Sequence, residues 1–118
     1  MAVKRIVANI QASPHDIAAA KSFYQDLLDL DLAMDLGWIA TLTGSGTMTP
    51  QISLASEGGS GTPVPDISIE VDNFDETLER MRNGSVPIAY GPVTEPWGVR
   101  RFYVRDPLGK LLNILQHL

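Results

Sequence analysis

The chain contains no cysteine. Disulfides, thiolate metal sites and a cysteine nucleophile are all excluded by that one absence, and nothing asks for an oxidising compartment. There is also no run approaching the ~18 apolar residues of a membrane-spanning helix. The opening "MAVKRIVANI" has too short an apolar stretch for a signal peptide. A cytoplasmic protein with no membrane partner is expected. Basic residues are scarce: nine Lys and Arg against fourteen Asp and Glu give a net charge of −5. Such a chain is repelled by phosphate backbones unless its basic residues cluster. The one cluster, Arg100, Arg101 and Arg105, is divided between two faces by strand alternation, so nucleic acid is not an expected partner. The glycine-rich stretches "GSGTMTP" and "EGGSGTPVP" lack a Gly-x-x-x-x-Gly-Lys-Ser/Thr pattern and open no helix, which argues against phosphate cradling. No Ser-His-Asp order suggests a hydrolase.

What remains is ordinary globular material. With 118 residues and 44% hydrophobic content, the chain suits one domain that buries roughly 65% of its unfolded surface. Residues 4–10 alternate, with Ile6, Ala8 and Ile10 on one side and Arg5, Val7 and Asn9 on the other. A helix is expected at about 16–29, capped by Asp16, with Ile17, Ala20, Phe23, Tyr24, Leu27 and Leu28 at helical spacing. "DLAMD", "GWIATLT" and "PQISLAS" read as strands, with "GSGTMTP" a loop between the last two. The stretch 57–65 is a linker. Then the pattern restarts: strand "DISIEV", a helix after Asp72 or Asn73 that ends at Gly84, and strands "PIAYGP", "VRRFYV" and "KLLNILQH". This is an internal repeat of about 55 residues. One module spans about 4–56 and the other about 66–117. Two such modules imply an α+β fold: two βαβββ units forming a curved mixed sheet, a half-closed barrel with an inner cleft and helices outside.

The order of three motifs resembles the vicinal oxygen chelate superfamily of glyoxalases, bleomycin resistance proteins and extradiol dioxygenases. "FYQDLLDLDL" is similar to its first helix end, with Asp29 where glycine is usual. "DISIEVDNFDETLERM" resembles its second strand-to-helix signature, and "PWGVRRFYVRDPLGKLLNIL" its closing hairpin. The resemblance implies a metal held on the inner sheet face by His, Glu or Gln. Carried over, those positions fall on Arg5, on Ser53 (or Gln51 in a register shifted by two), on Asp66 and on Asn113. A guanidinium is no ligand, and only Asp66 is a good one. Arg5 and Asp66 are expected to pair with each other instead. The expectation is therefore no cofactor, with a divalent metal only if the protein is a glyoxalase-like lyase or isomerase, or a dioxygenase relative, using a shifted site at Asp66 with Gln51 or Glu70.

Alternation independently places Arg5, Asn9, Gln51, Ser53, Asp66, Ser68, Glu70 and Asn113 on one mixed face. Apolar walls with a few aimed polar groups suit a ligand cleft. Trp97 and Trp38 would wall it, and Arg5, Gln51, Ser53, Asp66 and Asn113 would orient the ligand. His15 reads as a solvated helix entry, Arg101 and Tyr103 as a solvated strand face or an anion site, and His117 as a frayed end or a base at the rim. A buried, unpaired Glu70 would make a general base. The leading expectation is a metal-independent binder of an apolar or aromatic compound, acting as a homodimer; a structural dimer with a vestigial cleft is the bland alternative.

Overall fold

Strand, helix and three strands follow one another twice along the chain. In the computed structural model, which describes residues 3–45 and 51–118, the order is β1 (Val3–Gln11), α1 (Pro14–Leu28), β2 (Asp31–Asp35), β3 (Ile39–Thr43) and β4 (Gln51–Ala55). There follow β5 (Ile67–Val71), α2 (Phe74–Asn83), β6 (Tyr90–Glu95), β7 (Val99–Arg105) and β8 (Leu111–His117). The strands form one open mixed sheet in the order β2-β3-β4-β1-β5-β8-β7-β6. β1–β4 and β5–β8 are parallel; β2–β3, β3–β4, β6–β7 and β7–β8 are antiparallel. The expected α+β class and order of elements along the chain are present. Of the loop expected at 44–50, residues 46–50 lie outside the described residues. No described helix is long and apolar enough to cross a membrane.

The chain divides into two compact units, residues 7–64 and residues 3–6 with 65–118. In the first, α1 starts two residues earlier than the sequence suggests. Ser13, not Asp16, is the cap: its Oγ accepts from the Asp16 N–H at 3.1 Å, and Pro14 fills the first turn. Proline tolerates that position because its missing N–H has no helical partner there. Asp16 instead places its charge beside the positive helix end. Ile17 packs with Ala40, Leu42 and Leu54, supported by Ala20 and Tyr24. Phe23, Leu27 and Leu28, also apolar, are more than half exposed. The helix stops at Asp29, which adopts a left-handed φ of 56° and donates its N–H to the Tyr24 carbonyl. That conformation costs a non-glycine residue energy, and a carboxylate also repels the negative helix end. Asp29→Gly is expected to stabilise the protein by about 0.5–1 kcal/mol, read as a higher urea midpoint.

In the second unit, Phe74 and Leu78 of α2 pack on Val71, Phe102, Val104 and Ile114. α2 is capped from a distance. The Gln116 Oε1 accepts from the Phe74 N–H at 3.1 Å, whereas the Asn73 side chain bonds Thr77 and Glu76. Strand alternation then turns Ser68, Glu70, Arg101, Tyr103, Asn113 and Leu115 away from α2. β6 begins three residues later than "PIAYGP" suggests, at an irregularity between Tyr90 and Val93. Gly91 there has φ 81°, and a Cβ would lie 2.6 Å from the Arg101 carbonyl oxygen, so only glycine fits. The β7–β8 turn is fixed by Asp106, whose Oδ1 accepts from the N–H groups of Leu108 and Lys110. The stretch 57–65 is an ordered loop in which the Gly58 N–H donates to the Thr62 carbonyl and the Thr62 N–H to the Gly59 carbonyl.

Candidate functional site

The face of the second unit turned away from α2 carries three polar groupings, each set by the strand register. The first is Asn113, paired in register with Ser68 on β5 and Tyr103 on β7. It is 8% exposed. Its Nδ2 donates to Ser68 Oγ at 3.1 Å, while its buried Oδ1 has no hydrogen-bond partner among the described residues. Turning the amide over would exchange the ends and still leave one of them unpaired. An orphaned buried polar group costs about 1–3 kcal/mol, so the fold holds an acceptor that another molecule's donor would satisfy.

The second grouping was not foreseen. Arg101 and Glu95 are 3% and 5% exposed and form a buried ion pair, with Nε and Nη2 at 2.7 and 2.6 Å from Glu95 Oε2. Tyr90 Oη donates to the same oxygen at 2.9 Å, and Arg101 Nη1 bonds Tyr103 Oη at 2.8 Å. The rings of Trp97, Tyr103 and Tyr90 stand 4.9, 4.9 and 5.3 Å from the guanidinium carbon. Both sequence readings of Arg101 and Tyr103 are thereby corrected. They are not a solvated face, and the arginine's charge is already matched by Glu95. The signal was present: the three residues Pro96-Trp97-Gly98 place Glu95 opposite Val99, one step diagonal to Arg101. Arg100, of opposite parity, covers the Phe74 ring and pairs with Asp75, while Arg105 bonds the Gly109 carbonyl. The basic cluster is dispersed, as alternation requires.

The third grouping centres on Glu70. Arg5 Nε lies 2.6 Å from its Oε1, His117 Nδ1 lies 2.9 Å from its Oε2, and Lys4 Nζ approaches to 3.8 Å. Arg5 therefore pairs with Glu70 and not with Asp66, as the sequence had suggested. Asp66 instead clasps β8: its Oδ2 accepts from the Leu111 N–H and its own N–H donates to the Leu111 carbonyl, both at 2.8 Å. The reason is position. Asp66 precedes β5 and stays exposed at the strand entry, whereas Glu70 lies within the strand. Nor is Glu70 an unpaired base. Burial pushes its carboxyl up, but hydrogen bonds from His117 and Arg5 outweigh burial and hold it below the ordinary glutamate value. The sign follows: the unfolded chain binds this proton more readily. Glu70 thus stabilises the fold above the ordinary carboxylate range near ~4.3, and that stability is lost as pH falls through the lower folded value. Glu70→Gln is expected to flatten the stability profile below about pH 4, measured by urea unfolding at stepped pH. His117 is not frayed, since it pairs with Val99 and the following N–H, of Leu118, bonds the Gly98 carbonyl.

Among the other expected site residues, Trp97 is half-buried beside Arg101. In the first unit Ser53 is buried with its hydroxyl 2.7 Å from Thr41 Oγ1. Gln51 pairs with Thr43, and the Trp38 carbonyl accepts from the Ser56 N–H. His15 is an exposed residue of α1's first turn. Among the described residues no three His, Asp or Glu side chains gather. At Glu70 a divalent ion would meet two cations, Arg5 and the largely exposed Lys4, beside one carboxylate and the His117 imidazole. The positive charge beside Glu70 argues against a divalent ion at that carboxylate, and no chemistry is routed through one. Asn113→Glu is expected to gain no micromolar divalent-ion site, because Arg5 remains; metal titration followed by melting temperature checks this.

The model of the Glyoxalase/Bleomycin resistance protein/Dioxygenase superfamily matches residues 7–114. No curated protein matches the chain. Several solved structures share the fold. One from Legionella pneumophila, described as an NAD-dependent benzaldehyde dehydrogenase, is 19% identical with a TM-score of 0.73, covering 97% of this chain and 100% of that one. A superfamily member from Vibrio splendidus 12B01 is 18% identical (TM-score 0.67; 95% and 97% covered). Methylmalonyl-CoA epimerase from Mycobacterium tuberculosis is 15% identical (TM-score 0.66; 99% and 88% covered).

Proposed function

The chain belongs to the glyoxalase/bleomycin resistance protein/dioxygenase superfamily, and from that membership we propose that it is a metal-independent small-molecule binding protein. The ligand, an aromatic or largely apolar compound, lies on the face of the second unit that carries Asn113. The single observation that supports this best is the buried, unpartnered Asn113 Oδ1. A protein without a ligand there gains nothing from that acceptor, and leucine would fill the same volume without the penalty. Trp97 supplies an aromatic surface beside Arg101, and Arg5, tied to Glu70, supplies charge at the β1 side. Asp66 holds its side-chain oxygen on the Leu111 N–H and is not proposed as a ligand contact.

The test is a screen of aromatic compounds by thermal shift and tryptophan quenching, in the presence of chelator, on the wild type and on Asn113→Leu. Compounds that bind the wild type and not the variant support the reading; a protein that stabilises with none of them, or equally with both forms, sinks it. We also propose a cytoplasmic homodimer. Its support is the α1 stripe of Phe23, Leu27 and Leu28, 52%, 68% and 56% exposed, since adjacent exposed apolar side chains mark association surfaces. Light scattering that gives a monomer mass at micromolar concentration would remove it. An enzyme remains a second reading on the strength of one observation, the imidazole held by Glu70.

A further inference from the structure

His117 presents one ring nitrogen to a carboxylate and keeps the other for something else. Its Nδ1 faces Glu70 Oε2 at 2.9 Å, and no described residue bonds its Nε2. The side chain is half exposed, while the Glu70 side chain is 10% exposed. Glu70 is held ionised by Arg5 on its other oxygen, so it can only accept. The proton on the neutral imidazole must then sit on Nδ1, and Nε2 is left as a lone pair of fixed direction. The charged groups facing this ring are Glu70 from β5 and Lys4 and Arg5 from β1. From β7 comes only Val99, opposite in register. Lys4 and Arg5 against Glu70 leave the cluster one positive charge in excess, and two once the ring is protonated.

From this arrangement we infer that His117 Nε2 is a proton-accepting anchor for a weakly acidic hydroxyl compound, of which a phenol is the simplest, bound as its anion. The O–H bond of the ligand breaks, its electron pair stays on oxygen, and the proton forms an N–H bond at Nε2. The imidazolium is then shared between Glu70 and the ligand oxygen, with Lys4 and Arg5 adding to the field. No oxidant, metal or second reactant is needed. Glu70 is the positioning residue. This inference rests on the binding reading above and deepens it, because it names the chemistry at one end of the ligand.

4-Nitrophenol is the probe, because its anion alone absorbs strongly in the visible. Titrated against the full chain in chelator, it is expected to bind as the anion and to ionise at a pH at least one unit lower than free in solution, a tenfold shift. His117→Gln, which bonds but takes no proton, is expected to weaken binding at least tenfold and abolish the shift. Nitrogen NMR is expected to show the Nδ1–H tautomer in the wild type and a mixture in Glu70→Gln. A bound neutral phenol, an unchanged shift in His117→Gln, or an Nε2–H tautomer in the wild type overturns the inference. If 4-nitrophenol fails to bind while screen compounds still distinguish the wild type from Asn113→Leu, the acid anchor is wrong and the binding reading stands. If nothing distinguishes those two forms, the binding reading itself fails.

Discussion

Glu95→Ala is expected to remove about 3–5 kcal/mol of stability, the cost of leaving a buried charge without its partner. Arg101 is 3% exposed and gives three of its contacts to Glu95 and Tyr103. With Glu95 gone, the guanidinium loses the counter-charge bonded to its Nε and Nη2, and the surrounding rings supply only about 2 kcal/mol when desolvated. Since a domain of this size holds roughly 5–15 kcal/mol in all, the variant should unfold at a much lower urea concentration. Trp97 stands 4.9 Å from the guanidinium and makes its fluorescence a local reporter. Desolvation, not attraction, dominates the cost of such a pair. Removing both charges together in Glu95→Leu with Arg101→Met should therefore recover most of that loss, less what the Tyr90 hydroxyl costs once its Glu95 acceptor is gone. A single variant that loses less than 1 kcal/mol would mean that the arginine reaches water.

Asn113→Leu is expected to act in opposite directions on stability and on binding. The substitution nearly conserves volume, removes an orphaned acceptor and sacrifices one bond, Nδ2 to Ser68 Oγ. Relief of about 1–3 kcal/mol against a loss of about 1 leaves a gain of roughly 1 kcal/mol. Ligand affinity should fall at least tenfold, because the acceptor that recognises the ligand's donor is gone. A structural asparagine would behave otherwise: stability would drop and no ligand would notice. Chemical denaturation and ligand titration on the same preparation separate the two outcomes.

Much of this was legible before any coordinates. Alternation and turn residues placed the ten elements in order, and the parity of Asn113 and Ser68 set them on one face together. Glu70 is legible on that face too, but as an unpaired carboxylate, with Arg5 assigned to Asp66. Asp66 is a better metal ligand than a structural clasp by residue type alone. Only the strand boundary, which leaves Asp66 outside β5 and opposite Leu111, shows why Arg5 reaches Glu70 instead. The ion pair of Glu95 and Arg101 was hidden for a related reason. A glutamate beside a Pro-Trp-Gly loop reads as solvated, and its burial follows from the aromatic rings of β6, β7 and the loop closing over it, which no local pattern encodes. The cap of α1 moved from Asp16 to Ser13 because both residue types cap well, and Pro14 decides between them only once the helix start is known. Asp29 was noticed as an exception to a glycine position, and its left-handed φ explains the preference it departs from.

Metal independence is the claim on which the proposed function turns, and calorimetry tests it most directly. The tightest compound from the screen is titrated into the protein in excess chelator, then into the same protein supplied in turn with Zn²⁺, Mn²⁺, Ni²⁺ and Fe²⁺. With Arg5 bonded to Glu70 and Lys4 nearby, the dissociation constant should be the same within about twofold in every case, well below the tenfold that 1.4 kcal/mol represents. Binding that appears only when one of the ions is present would contradict the proposal and return the chain to the metal-dependent side of its superfamily.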